Sequence, residues 1–105
     1  MVVGIRLSLS RAITATGETA LFEVPGPYIA FVRRLMVSNG ATATALVQLI
    51  FYNGESAKPM LAVRVPAGGN ITLEEDSLPT EACPTRIALS TDQQPLNVSL
   101  SIELE

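Results

Sequence analysis

Four groups of residues in this chain have types that chemistry uses. Lys58, the only lysine, lies in the run Gly54-Glu55-Ser56-Ala57-Lys58-Pro59, where it could serve as the base for a serine nucleophile. Glu74-Glu75-Asp76, with Glu81, could offer oxygen ligands to calcium or a carboxylate pair to a glycosidic bond. Val65-Pro66-Ala67-Gly68-Gly69-Asn70 contains paired glycines of the kind found in loops that cradle phosphate, and Cys83 is a lone thiol. None of the four has the spacing that makes such chemistry specific. The chain has no histidine, so neither a Ser-His-Asp device nor histidine ligation of a metal can be built. Lys58 sits in a turn-like segment and reads as solvated. The acidic run lacks the alternating Asp/Asn and the glycine of a calcium loop, and reads as a solvated acidic turn. The glycines have no lysine and no strand-to-helix context, and read as a turn. Cys83 cannot form an internal disulfide and reads as a buried structural thiol. The expectation is a protein that is not an enzyme and uses no cofactor and no metal.

Composition narrows the partners. Ten acids against seven bases give a formal net charge of −3, which disfavours nucleic acid and anionic membrane alike. The five aromatics Phe22, Tyr28, Phe31, Phe51 and Tyr52 lack the basic companions of a base-stacking platform, and three or four are expected in the core. No stretch approaches the roughly 20 apolar residues of a membrane span. The start, MVVGIRLSLSRAIT, has no basic leader, apolar run or cleavage site, so a protein made in the cytoplasm and used as made is expected. Without such a leader, the glycosylation-like triplets Asn70-Ile71-Thr72 and Asn97-Val98-Ser99 are coincidental. At 105 residues the chain is one domain, 1–105, with a single core.

The elements that must position any site are strands. Apolar and polar residues alternate with period two from end to end, as in Ile5, Leu7, Leu9 and again in Leu96, Val98, Leu100, Ile102, Leu104. Further strands are predicted near 19–24, 29–38, 44–52, 60–65, 70–75 and 85–91. Breakers separate them: Pro25-Gly26-Pro27, Asn39-Gly40, Asn53-Gly54, Pro66 with Gly68-Gly69, Pro79, Pro84 and Pro95. The class is all-β, a single-domain antiparallel β-sandwich of about eight strands, a jelly roll or a small barrel. The irregular segment 76–84 is a crossover between sheets or a short arm to a neighbour.

Asn39-Gly40 predicts a two-residue hairpin joining 29–38 to 44–52. In that register Ala30, Val32, Met36, Ala43, Ala45, Val47, Leu49 and Phe51 share a core face with Arg34. The other face holds Ile29, Phe31, Arg33, Leu35, Val37, Thr42, Thr44, Leu46, Gln48, Ile50 and Tyr52. Such a mixture of apolar groups, polar groups and arginine is typical of a buried protein contact. Either the chain's own second layer or another subunit must cover it. The contact residues expected on it are Phe31, Arg33, Leu46, Gln48, Ile50 and Tyr52, with Arg33 as the bidentate anchor and the two terminal segments as arms.

The order FVRRLMVSNGATATALVQLIFYNG, then VRVPAGGNITLEE, then NVSLSIELE resembles small β-sandwich structural proteins of tailed bacteriophage virions, most of all capsid decoration (cement) proteins. The likeness covers about residues 20–105 and is one of style, without an invariant motif. The proline-rich crossover with Glu81 and Cys83 departs from it, as does the lack of a Gly-Asp pair before the last hairpin. It implies a non-enzymatic protein of the virion, bound to the major capsid protein or another virion protein at symmetry axes or seams, often as a homotrimer. A tail, neck or fibre component is the alternative within that resemblance. A carbohydrate-binding β-sandwich module is the alternative outside it, although no tryptophan is available to stack on sugar.

Overall fold

In the computed structural model, residues 4–105 are described; Met1, Val2 and Val3, part of the expected N-terminal arm, lie outside the described residues. Eight strands follow one another: β1 (Ile5–Ile13), β2 (Gly17–Glu23), β3 (Ala30–Asn39), β4 (Ala45–Asn53), β5 (Ser56–Val65), β6 (Asn70–Leu73), β7 (Arg86–Thr91) and β8 (Leu96–Leu104). They form two four-stranded sheets, the first ordered β1-β8-β3-β6 and the second β2-β7-β4-β5, with every neighbouring pair antiparallel. The result is an antiparallel β-sandwich with jelly-roll topology. Successive strands change sheet at nearly every step, and β4 and β5 are the consecutive strands that stay side by side.

Alternation explains the layers. Successive side chains of a strand point to opposite faces, so a strand with every second residue apolar has one face that water disfavours. In β8 the residues Leu96, Val98, Leu100, Ile102 and Leu104 are all buried, and Asn97, Ser99, Ser101 and Glu103 face out. Ala45, Val47, Leu49 and Phe51 of β4 and Ile87 and Leu89 of β7 meet them from the other sheet. Each fully buried branched or aromatic side chain contributes about 1.5–3 kcal/mol relative to exposure. Of the aromatics, Phe51 is in the core, Phe22 and Tyr28 pack against it, and Phe31 and Tyr52 lie on outer faces.

The predicted β3–β4 hairpin does not form. β3 pairs with β8 and β6, whereas β4 lies in the opposite sheet between β7 and β5. Gly40 lacks the positive φ that a primed hairpin turn needs; Gly54 has it, at 62°, and the tight hairpin is the one that joins Asn53 to Ser56. The reason lies in the side chain of Asn39, which is 2% exposed. Its amide nitrogen donates to the carbonyls of Ala43 at 2.9 Å and Val65 at 3.0 Å, and its oxygen accepts from the Ala41 N–H at 2.9 Å. One side chain thus satisfies the backbone of residues 41–43 as the chain passes between sheets, and ties it to the end of β5. A carboxamide suits this place because it both donates and accepts.

The parity of β3 also differs from the simple alternation. Val32 pairs with Ile102, but Arg34 pairs with Ser101, so Arg33 is the extra residue of a β-bulge. Beyond it Leu35 and Val37, expected on the contact face, are fully buried, and Met36, expected in the core, is exposed. Segment 76–84 is the crossover from β6 to β7: Leu78 and Cys83 are buried, and Cys83 exchanges backbone hydrogen bonds with Ala30 at 2.9 and 2.7 Å. The Cys83 thiol donates to the Arg86 carbonyl, and burial raises its pKa. Lys58 belongs to β5 rather than to a turn.

Replacing Asn39 with aspartate removes both donated bonds and places a carboxylate beside two carbonyls in a buried site. We expect Asn39→Asp to lower stability by about 2–3 kcal/mol at neutral pH, read as a shift in urea midpoint. An unchanged midpoint would contradict the pinning role given to this side chain.

Candidate functional site

The second sheet turns an unusual face to the outside. Reading across its four strands, Ala20 pairs with Ala88, Ala88 with Ile50, and Ile50 with Pro59. A single apolar row therefore crosses the whole sheet from β2 to β5. On one side of it lies the row Glu18, Ser90, Gln48, Ala62; on the other lies Glu23, Arg86, Tyr52, Ala57. Beyond the first of these rows Leu46 pairs with Arg64. An apolar centre with a polar rim is the anatomy of a protein contact.

The centre of this face is covered from within the chain. Ile50 is 7% exposed and Ala88 0%, yet neither belongs to the core cluster between the sheets. The Tyr52 hydroxyl donates to a carboxylate oxygen of Glu18, so the side chains of Tyr52 on β4 and Glu18 on β2 together span β7, which carries Ala88. Arg86 stacks over the Tyr52 ring at 4.0 Å and lies 3.9 Å from Glu23. The hydrogen bond to Glu18 raises the pKa of Tyr52. The long side chains Glu18, Tyr52, Arg86 and Glu23 of this face are thus tied to one another.

The first sheet has a different outer face. Ala12, Asn97, Ser38 and Asn70 form one row across it, and Ser10, Ser99, Met36 and Thr72 form the next, all without charge. Charges collect beyond Ser8 and Ser101. Arg33 donates to Glu103 at 3.0 Å and lies 3.7 Å from Glu105 and 3.9 Å from Glu75. Arg6 meets Glu103 at 3.2 Å, and Arg34 donates to Glu74 at 2.8 Å. Arg33 also lies over Phe31, with 5.2 Å to the ring centroid. The bulge at Arg33 creates this arrangement, because it sends two adjacent arginines to the same face. The Arg33 hydrogen bond holds the Glu103 carboxyl below its usual range, and the hydrogen bond with Glu103 pushes Glu105 up.

Of the six expected contact residues, Leu46, Gln48, Ile50 and Tyr52 share the second sheet's outer face, while Phe31 and Arg33 lie on the first sheet's, across the sandwich. They do not form one surface, because β3 and β4 are not a hairpin. Glu18, Ala20, Pro59, Ala62 and Ala88 complete the second face and were not singled out in the sequence. Their neighbours come from distant strands, and local alternation reports only which side a residue faces. The acidic run is likewise divided: Glu74 and Glu75 meet Arg34 and Arg33, whereas Glu81 pairs with Lys58 at 3.0 Å.

No protein-family description matches the chain, and no curated protein sequence does. Among solved structures, the crystal structure of PirA is similar over 93% of both chains, with a TM-score of 0.59 and 12% identity, a likeness that shows the fold alone. A chain from the structure of the infectious bursal disease virus Gx strain matches 97% of this chain with a TM-score of 0.46 and 14% identity. The VP2 subviral particle of that virus gives 0.42 and 12%. This chain spans about a third of the length of those two, 32% of each, and at such scores neither bears on its role.

The charge cluster makes a prediction in pH. Glu103 has a lowered folded pKa, so its ionised form contributes stability above the ordinary carboxylate range that is lost as pH falls through the lowered value. Glu105, raised in the fold, contributes in the opposite sense: its share is present below the ordinary value and lost as pH rises through the raised one. In an NMR titration of side-chain carboxyl carbons, Glu103 is expected to titrate below a model glutamate and Glu105 above it. Arg33→Gln should move Glu103 upward; coincident midpoints in the unmodified chain would contradict the cluster.

Proposed function

We propose that this chain is a non-enzymatic structural protein of a virion, a capsid decoration or cement protein that binds the outer shell and stabilises contacts between capsid subunits. The single observation that carries the reading is the pair of outer faces: an apolar row with a polar rim on one side, and two uncharged rows rich in serine and asparagine on the other. A slab of this kind suits contacts made by area on both sides, where several modest interfaces act together. The strand-and-turn order that resembles tailed-phage structural proteins supports the same reading. The major capsid protein is the partner in this account, with no part for nucleic acid, membrane, metal or cofactor, and the place of action is the virion.

A tail or neck component would use the same faces and differs in address rather than in mechanism. A carbohydrate-binding module would need an open aromatic ring. Tyr52 is capped by Arg86 and tied to Glu18, and Tyr28 packs against the core, so the arrangement favours the shell reading over the sugar one.

Co-sedimentation tests the proposal directly. Mixed with empty shells of the virus that encodes it, the chain should pellet to saturation at a fixed ratio to the capsid subunit and raise the temperature at which the shells break open. Absence of binding at every concentration, or saturable binding to a glycan panel instead, would overturn the reading.

A further inference from the structure

We infer that the outer face of the second sheet seats a second copy of this chain, related to the first by a two-fold axis that runs along the strands in the plane of contact. The inference rests on reading this face as a contact surface and goes on to name its occupant. The argument comes from where the charges lie. Glu18 stands on edge strand β2, in the row beside the apolar one, and Arg64 stands on the opposite edge, β5, one row further out on the same side. Asp92 adjoins that outer row, where it accepts a hydrogen bond from the Leu46 N–H at 2.8 Å. Among the described residues Arg64 makes no ion pair, and Glu18 has the Tyr52 hydroxyl as its hydrogen-bond partner but no cation. Edge strand β5 thus carries a cation, and edge strand β2 an anion bridged to Tyr52, that have no opposite charge among the described residues.

Two simple ways exist to lay this face on its own copy. An axis along the strands exchanges the two edges while keeping each row at its own level. The apolar rows then come level, with Ala20 against Pro59 of the second copy and the Tyr52–Glu18 bridges, which cover Ala88 and Ile50, lying between the centres of the two faces. Arg64 of the second copy arrives beside Glu18 and Asp92, and symmetry makes the same contact again on the other edge. An axis across the strands keeps the edges and exchanges the rows, so Glu18 would face Glu23 of the second copy, like against like. Charge selects the first arrangement. The face spans four strands and about as many rows, roughly 19 Å by 20 Å at usual strand dimensions, so the pair buries on the order of 800–1,000 Å² in total, at the low end for a specific interface. Association is therefore concentration-dependent, and it leaves the serine- and threonine-rich faces of both copies outward for other partners.

Sedimentation equilibrium over a concentration series tests the inference, with Arg64→Glu and Glu18→Arg as variants. Both positions are exposed, and near-native thermal melts would confirm that the variants fold. Wild type should dimerise, each variant alone should dimerise at least ten-fold more weakly, and an equimolar mixture of the two should recover dimers, because each variant supplies the charge the other lacks. A wild type that stays monomeric at every concentration, or a trimer indifferent to both reversals, would overturn the pairing while leaving shell binding to be judged by co-sedimentation. Loss of shell binding in Arg64→Glu, with wild type monomeric, would assign the face to the shell and likewise overturn it.

Discussion

The side-chain amide of Asn39 decides what the rest of the chain becomes. Were residues 39 and 40 a tight turn, β3 and β4 would lie side by side and the contact face would be a hairpin. The amide instead bonds to the backbone of residues 41 and 43 and to Val65, and the chain crosses the sandwich. Once β4 is in the second sheet, β5 follows through the hairpin at Gly54, and β8 is left to fill the place beside β3. The buried polar group is fully satisfied, so it specifies the crossover without leaving a desolvated donor or acceptor.

Packing then sets the outer faces. Every strand gives one side to the core, and the parity of each strand fixes what remains outside. The bulge at Arg33 changes that parity in the middle of β3, burying Leu35 and Val37 and placing two arginines among the acids of β8 and of the segment after β6. The opposite sheet has its own irregularities, between Ala20 and Phe22 and between Leu49 and Ile50, yet Ala20, Ala88, Ile50 and Pro59 still fall in one row. The apolar row is thus a product of register across four strands, invisible in any one of them.

Much of the fold was legible in the sequence and much of the site was not, for a physical reason. Alternation is a local property, so the eight strands, the absence of long helices and the inward sides of β4 and β8 could be read directly. Sheet order is set by long-range pairing, and Asn39-Gly40 sends a hairpin signal that a buried side chain overrides. Asn53-Gly54, with the same two residues, does sit at a hairpin because nothing there competes with the positive φ of the glycine. Leu46, Gln48, Ile50 and Tyr52 share a surface because they alternate within one strand. Only a β3–β4 hairpin would bring Phe31 and Arg33 to the same surface, and without it they lie on the other sheet.

The central claim is that the outer face of the second sheet is a contact surface on which two copies of the chain meet. Amide NMR signals recorded while the protein is concentrated test it most directly, since a shift maps contact residue by residue whatever the size of the assembly. The account predicts shifts at Ala20, Gln48, Ile50, Ala62 and Ala88, with Ser10, Ser99 and Thr72 unmoved. Shifts confined to those three and their neighbours, or a spectrum independent of concentration, would contradict it.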